Sequence, residues 1–229
     1  MLTIRRFIFN PFEENCWVAS SGNGDAVIVD PAFYCLEERN TLFGAIEDAG
    51  LKVKAIFLTH GHIDHIYGLK DCQAHFGGVP AYLSAKDLEV AAKHRESMLR
   101  YGFKAVDLSF DSRDISDGQT LNLLGCEWKV ISTPGHSPGS VCWYCGGEKI
   151  LFSGDTLFAG AIGRSDLYGG DYDCEIRSLM EKIIPLEGDT QVYPGHGEST
   201  DIATERSTNP FLLPFNEAGE DGSVDGISF

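Results

Sequence analysis

The sequence predicts an α/β chain of mixed character, two mixed sheets covered by helices. Three observations predict it. Apolar runs of strand length alternate with helix-length segments along nearly the whole chain. Hairpin signals such as Cys145-Gly146-Gly147-Glu148 interrupt that alternation, so antiparallel pairs are expected beside parallel ones. Four of the apolar runs end in turns, flanked by Gly, that carry His or Asp. Strands that end on one edge of a sheet deliver such side chains to one place.

Taken in order, strands are expected at 2–9, 14–20 and 25–30. The first has neither the long apolar core nor the small-residue cleavage site of a signal peptide. A helix over 36–49 stops at Gly50, and the strand 53–58 runs into the first His-bearing turn. A helix over 65–76 ends at Gly77-Gly78; a short strand at 79–83 and a helix at 85–100 follow, with Ser84 as its N-cap. The second half carries strands at 119–124, 126–132, 139–145 and 148–153, a helix at 172–184, a strand at 190–193 and a short helix at 200–206. No sequence repeat recurs at a fixed period. Residues 1–215 are expected to form one domain, and 216–229, rich in Gly, Glu and Asp, a flexible acidic tail.

At 229 residues the chain can bury a full core. Its formal net charge of −16 disfavours nucleic acid and anionic membranes as partners, although a small anionic substrate answers to the local field of its site. No run of 18 apolar residues exists to span a bilayer. Seven scattered Cys, an odd number, point to reduced thiols and a cytoplasmic location. Cys142 and Cys145 form C-x-x-C within a strand, where residues three apart face opposite ways, so both are expected in the core. His75 and His94 are expected at helix ends or on the surface. Met98, Leu99, Tyr101 and Phe103 either wall a cleft or pack a helix.

The chemistry concentrates in four motifs. His60-Gly61-His62-Ile63-Asp64-His65 holds three of the seven His of the chain. Thr133-Pro134-Gly135-His136-Ser137-Pro138-Gly139, Leu151-Phe152-Ser153-Gly154-Asp155-Thr156 and Val192-Tyr193-Pro194-Gly195-His196-Gly197 each follow or end an apolar strand. Five His and two Asp exceed the four ligands of one tetrahedral zinc and suit two metals with a shared carboxylate and water. Such ligands favour Zn, Fe(II) or Mn(II). A structural zinc site would be closed and Cys-rich, and these motifs contain no Cys.

From about Asn10 to Phe211 the chain resembles the metallo-β-lactamase fold superfamily, whose signature is H-x-H-x-D-H followed by His, Asp and His. The resemblance implies a four-layer αββα sandwich with the site at one edge of the two sheets. It also implies that His60, His62 and His136 hold a first metal, that Asp64, His65 and His196 hold a second, and that Asp155 bridges them. Ser153-Gly154-Asp155-Thr156-Leu157-Phe158, Gly163-Arg164-Ser165-Asp166 and Thr208-Asn209-Pro210-Phe211 are similar to the glyoxalase II (hydroxyacylglutathione hydrolase) branch, especially its short bacterial members. Arg164 matches a basic glutathione-binding position, with an ion pair to Asp166 or Asp171 as its structural alternative. The sequence departs from that branch at Asp166, where a Tyr is usual, and at Gly197-Glu198, where a Glu-Tyr pair is usual. It is also expected to lack the helical C-terminal domain of the larger enzymes.

The implied function is hydrolysis of a small-molecule thioester such as the glutathione-derived S-D-lactoylglutathione. Two divalent ions are expected as cofactors, zinc favoured and iron or manganese open. Cations roughly 3.5–4 Å apart share a water and lower its pKa from ~15.7 toward ~7, which supplies a bridging hydroxide that Asp64 can orient. The rival is a persulfide dioxygenase with one Fe(II) on His60, His136 and Asp155, which Gly197 argues against because that branch has Asp there. Another ester or a lactone stays open as substrate. A β-lactam is disfavoured by the missing signal peptide, a nuclease by charge, and a non-catalytic metal scaffold by the intact ligand set. Monomer and homodimer are equally compatible.

Overall fold

The computed structural model describes residues 1–216; the tail expected at 216–229 falls outside it except for Asn216. The chain opens with β1 (Thr3–Phe9), β2 (Glu14–Ser20) and β3 (Asp25–Val29), then α1 (Leu36–Asp48) and β4 (Lys52–Phe57). Next come α2 (Ile63–Ile66), α3 (Leu69–His75), β5 (Ala81–Tyr82), α4 (Leu88–Arg100) and β6 (Ser112–Arg113). The second half runs β7 (Thr120–Leu123), β8 (Cys126–Ser132), β9 (Val141–Cys145), β10 (Ile150–Gly154), β11 (Leu157–Phe158) and β12 (Ala161–Ile162). It closes with α5 (Tyr172–Ser178), β13 (Gln191–Pro194), β14 (Thr200–Asp201), α6 (Ile202–Thr208) and α7 (Leu213–Asn216).

Two six-stranded sheets result, in the orders β1-β2-β3-β4-β5-β6 and β14-β13-β10-β9-β8-β7, with β11 and β12 as a separate hairpin. Both sheets are mixed. In the first, β1 to β3 form an antiparallel meander and β3 to β6 run parallel. In the second, β8 and β10 each pair antiparallel with β9, while β13 runs parallel to β10. The C-terminal ends of β8, β10 and β13 therefore share one edge.

Three apolar layers give the four-layer sandwich. Trp17, Val27, Val29 and Phe57 of the first sheet meet Trp128, Val130, Trp143 and Phe152 of the second. Phe57 and Trp143 stack with ring centroids 3.9 Å apart. The opposite face of the first sheet, including Val18, Ile28 and Ile56, packs on Leu42 and Ile46 of α1 and Leu69 of α3. The opposite face of the second, including Ile131, Leu151 and Val192, packs on Leu179, Ile183 and Ile202. Strand alternation sends Cys142 to that outer layer and Cys145 to the layer between the sheets, both as free thiols.

Several elements depart from the sequence expectation. The helix expected at 65–76 is two, broken at Gly68, where a Cβ would strike the Phe33 ring and where the backbone N–H donates to Pro31 O at 2.7 Å. The helix at 85–100 begins with a 3₁₀ turn over Ala85–Asp87, and Ser84 makes no side-chain cap bond. The helix at 172–184 is α5, capped by Asp171 through Cys174 N, continued by a π-helical turn over Leu179–Ile183. β14 takes the first two residues of the segment expected as helix at 200–206, because α6 starts after its cap, Asp201. Among the described residues no helix is long and apolar enough to cross a membrane.

Candidate metal centre

The four His- and Asp-bearing turns follow β4, β8, β10 and β13, so both sheets contribute to one cluster. His60 Nε2 lies 3.0 Å from His62 Nδ1, and His136 Nε2 lies 2.8 Å from His62 Nδ1 and 3.2 Å from His60 Nε2. Beside this trio, Asp64 Oδ2 is 3.5 Å from His196 Nε2 and 3.9 Å from His65 Nε2. Asp155 stands between the two sets. Its Oδ1 is 3.4 Å from His65 Nε2, and its Oδ2 is 3.5 Å from His136 Nε2 and 3.6 Å from His196 Nε2.

Four of the five rings are held from behind. Thr59 Oγ1 donates to Asp30 Oδ2 and so accepts from His60 Nδ1 at 3.0 Å. His136 Nδ1 donates to Arg164 O at 2.7 Å, His65 Nδ1 to Asp30 Oδ2 at 3.1 Å, and His196 Nδ1 to Phe12 O at 3.0 Å. These bonds place the proton on the outer nitrogen and leave the inner lone pair free, as metal-binding histidines require. The inner atoms of the cluster lack other partners: buried His65 Nε2, Asp64 Oδ1 and Asp155 Oδ1 accept or donate no hydrogen bond. Converging lone pairs and orphaned buried carboxylate oxygens are costly without a cation. The donor set therefore fits a pair of divalent metals, with N and O ligands of the kind zinc and iron take.

The electrostatics agree. Burial, then the neighbouring imidazoles, hold His60 well below the usual histidine pKa, and burial followed by His136 does the same to His62. Burial opposes the charged form of His65, but the Asp155 and Asp30 carboxylates outweigh it and raise the pKa. Burial likewise opposes ionisation of Asp155, and His65 and His196 outweigh it and lower the pKa.

Close approach explains one glycine. A Cβ at Gly195 would collide with Asp155 Oδ1 and the His65 ring. Two carboxylates that the sequence reading missed organise the turns. Asp87, fully buried, accepts from Gly61 N and Ser137 Oγ at 2.7 Å each through Oδ2, and from Gly139 N at 2.6 Å through Oδ1. It ties the turn of His60 to the turn of His136. Glu175 accepts from His136 N at 2.7 Å, and burial raises its pKa to about 8. Their sequence neighbourhoods carry no signal for these roles, since only tertiary contact supplies the partners.

A cavity of about 660 Å³ opens onto the cluster. Phe12, Met98, Tyr101, Phe158 and Leu167 are its apolar wall, and Arg164 and His94 its polar one. Arg164 makes a bidentate pair with Asp166, Nε to Oδ1 at 2.7 Å and the terminal nitrogen to Oδ2 at 2.8 Å. His94 corrects the expectation of a surface histidine. It is half-buried, its Nδ1 accepts from Ile63 N at 3.0 Å, and its ring lies 4.6 Å from that of His62. Val90, His94 and Met98 lie four residues apart on one face of α4, and Tyr101 follows the helix. His75 does sit at a helix end, 2.8 Å from Glu47 and stacked on Phe43.

Residues 9–196 match the model of the metallo-beta-lactamase superfamily. The chain belongs to that superfamily. Within it, the chain is 34% identical over 202 residues to the hydroxyacylglutathione hydrolase GloC of Haemophilus influenzae, covering 88% of this chain and 93% of that one. The structure of the BLEG-1 B3 metallo-beta-lactamase superposes with a TM-score of 0.83 at 34% identity, covering 92% of this chain and 99% of that one. A di-iron-bound form of TTHA1623 superposes with a TM-score of 0.81 at 33% identity, covering 91% and 100%. At the coarse level this superfamily member is a metallo-hydrolase with a His/Asp cluster suited to divalent metals.

Proposed function

We propose that this chain hydrolyses a small-molecule thioester of the S-D-lactoylglutathione type with two divalent metals. The observation that carries the reading is Asp155, whose two oxygens face His65 on one side and His136 and His196 on the other. The likeness to GloC supports the thioester, and the di-iron form of TTHA1623 supports a two-metal site that iron as well as zinc could fill.

In this reading His60, His62 and His136 hold one metal and Asp64, His65 and His196 the other, with Asp155 between them. Such a pair supplies a water whose pKa falls from ~15.7 toward ~7 and a Lewis acid for the substrate carbonyl. Asp64 Oδ1, buried and without a partner, is the acceptor that aims the attacking water. The hydrogen bonds that the rings donate to Asp30, Thr59, Phe12 O and Arg164 O keep them aimed inward throughout. The apolar wall from Phe12 to Leu167 excludes bulk water from the acyl group. The Arg164 guanidinium exchanges its Asp166 partner for a substrate carboxylate.

The test is turnover of S-D-lactoylglutathione by metal-quantified protein, beside oxygen uptake on glutathione persulfide. Hydrolysis with about two metals per chain is expected; oxygen uptake with one iron would overturn the reading. The likeness to a B3 metallo-beta-lactamase favours β-lactam hydrolysis as a second reading, which a chromogenic cephalosporin assayed in parallel decides.

A further inference from the structure

We propose that His94 is a substrate-binding residue, which donates a hydrogen bond from Nε2 to an oxygen on the carbon next to the scissile carbonyl. The inference rests on the thioesterase reading and adds to it a determinant of acyl specificity.

The donor is fixed by the backbone. Ile63 N–H points at His94 Nδ1 from 3.0 Å, so Nδ1 is the acceptor and the ring proton of the neutral imidazole sits on Nε2. Nε2 makes no hydrogen bond to any described residue, and the ring lines the cavity. The donor also stands beside the reacting position. The His94 ring centroid is 4.6 Å from that of His62, whose Nδ1 faces the inner cluster. A carbonyl attacked at that cluster brings its two neighbouring atoms within reach of His94. One is the thioester sulfur, a weak acceptor. The other is the α-carbon, and an oxygen there satisfies the N–H. Further along the cavity wall, Met98 of α4 and Tyr101 just after it offer only apolar contact and a terminal hydroxyl to the rest of the acyl chain. The wall thus suits a short acyl group with an α-oxygen better than a plain alkyl chain. An α-alkyl group would leave the Nε2–H without a partner.

Two thioesters that differ by one hydroxyl test this, S-D-lactoylglutathione and S-propionylglutathione. Zinc-loaded protein should prefer the lactoyl ester in kcat/KM by roughly tenfold, the scale of one neutral hydrogen bond. His94→Asn keeps an acceptor for Ile63 N–H and removes the donor at Nε2. It should hold its zinc and bring the ratio close to one; an unchanged ratio would overturn the proposal. If the parent protein turns over neither ester, the thioesterase reading fails. Nitrogen-15 spectra of the histidines in the zinc-loaded protein then decide His94 separately. An Nε2–H tautomer that shifts with D-lactate and not with propionate upholds it. An Nδ1–H tautomer, or equal response to both acids, overturns it.

Discussion

Asp155 faces both groups of histidines because its two oxygens diverge, 3.4 Å from His65 on one side and 3.5 Å from His136 on the other, and the proposed function makes it the residue between the metals. Asp155→Ala is expected to lose metal and activity together, read by elemental analysis beside turnover. Full metal content with full rate would remove the bridging role. Glu175 makes a different prediction. Burial raises its pKa from 4.5 to about 8, so the folded chain holds this proton more tightly than the unfolded one. Its contribution to stability is complete below pH 4.5 and is lost as pH rises through about 8. Denaturant midpoints of metal-free protein should fall across that window, and Glu175→Gln should flatten the fall. Equal slopes in parent and variant would contradict the assignment. The residue types of the cluster were legible in the sequence, because His and Asp beside Gly in short turns are unusual and local. His94 and Asp87 were not, because an isolated polar residue in a helical segment reads as solvated until its partners are known.

At the scale of elements, the site depends on how turns are joined as much as on strand ends. Asp87 precedes α4 and binds both the turn after β4 and the turn after β8. Asp87→Ala would leave the buried N–H groups of Gly61 and Gly139 unpaired and the Ser137 hydroxyl with Ser140 alone, a loss of about 3 kcal/mol, with metal affinity down roughly 10- to 100-fold. Chemical denaturation and zinc titration measure the two, and a variant with parental values in both would show the clamp to be dispensable. The long strands were readable from their apolar runs, and α1 from its stop at Gly50. Of the two-residue strands, β5 lies within the strand expected at 79–83, but β6, β11 and β12 were not expected and β14 was expected as helix, because two residues carry no periodicity. Gly68 broke an expected helix for a reason outside its own segment, the Phe33 ring packed against it.

Across the whole molecule the cluster is where the two sheets are sewn together. His60, His62 and His65 follow the first sheet, and His136, Asp155 and His196 follow strands of the second. In the proposed function a metal held by both halves would bind the folded chain and not the unfolded one. Chelation is therefore expected to lower the unfolding temperature, and added zinc to restore it. The effect reaches about 4 kcal/mol at a free metal concentration a thousand times the dissociation constant. An unfolding temperature indifferent to chelator would mean that the sheets hold together without the ions. The sequence by itself determined the fold class, the approximate course of the long strands and the His and Asp types carried by the turns that follow them, since hydrophobic period and turn chemistry are local properties. Only the tertiary structure decided the clamp at Asp87, the buried carboxyl of Glu175, the pairing of Arg164 with Asp166 and the place of His94 on the cavity wall. Arg164 and Asp166 are only two residues apart, and the structure decided between Asp166 and Asp171 as the partner. The other three depend on atoms brought from distant parts of the chain, a proximity created by sheet pairing and packing rather than by any run of neighbouring residues.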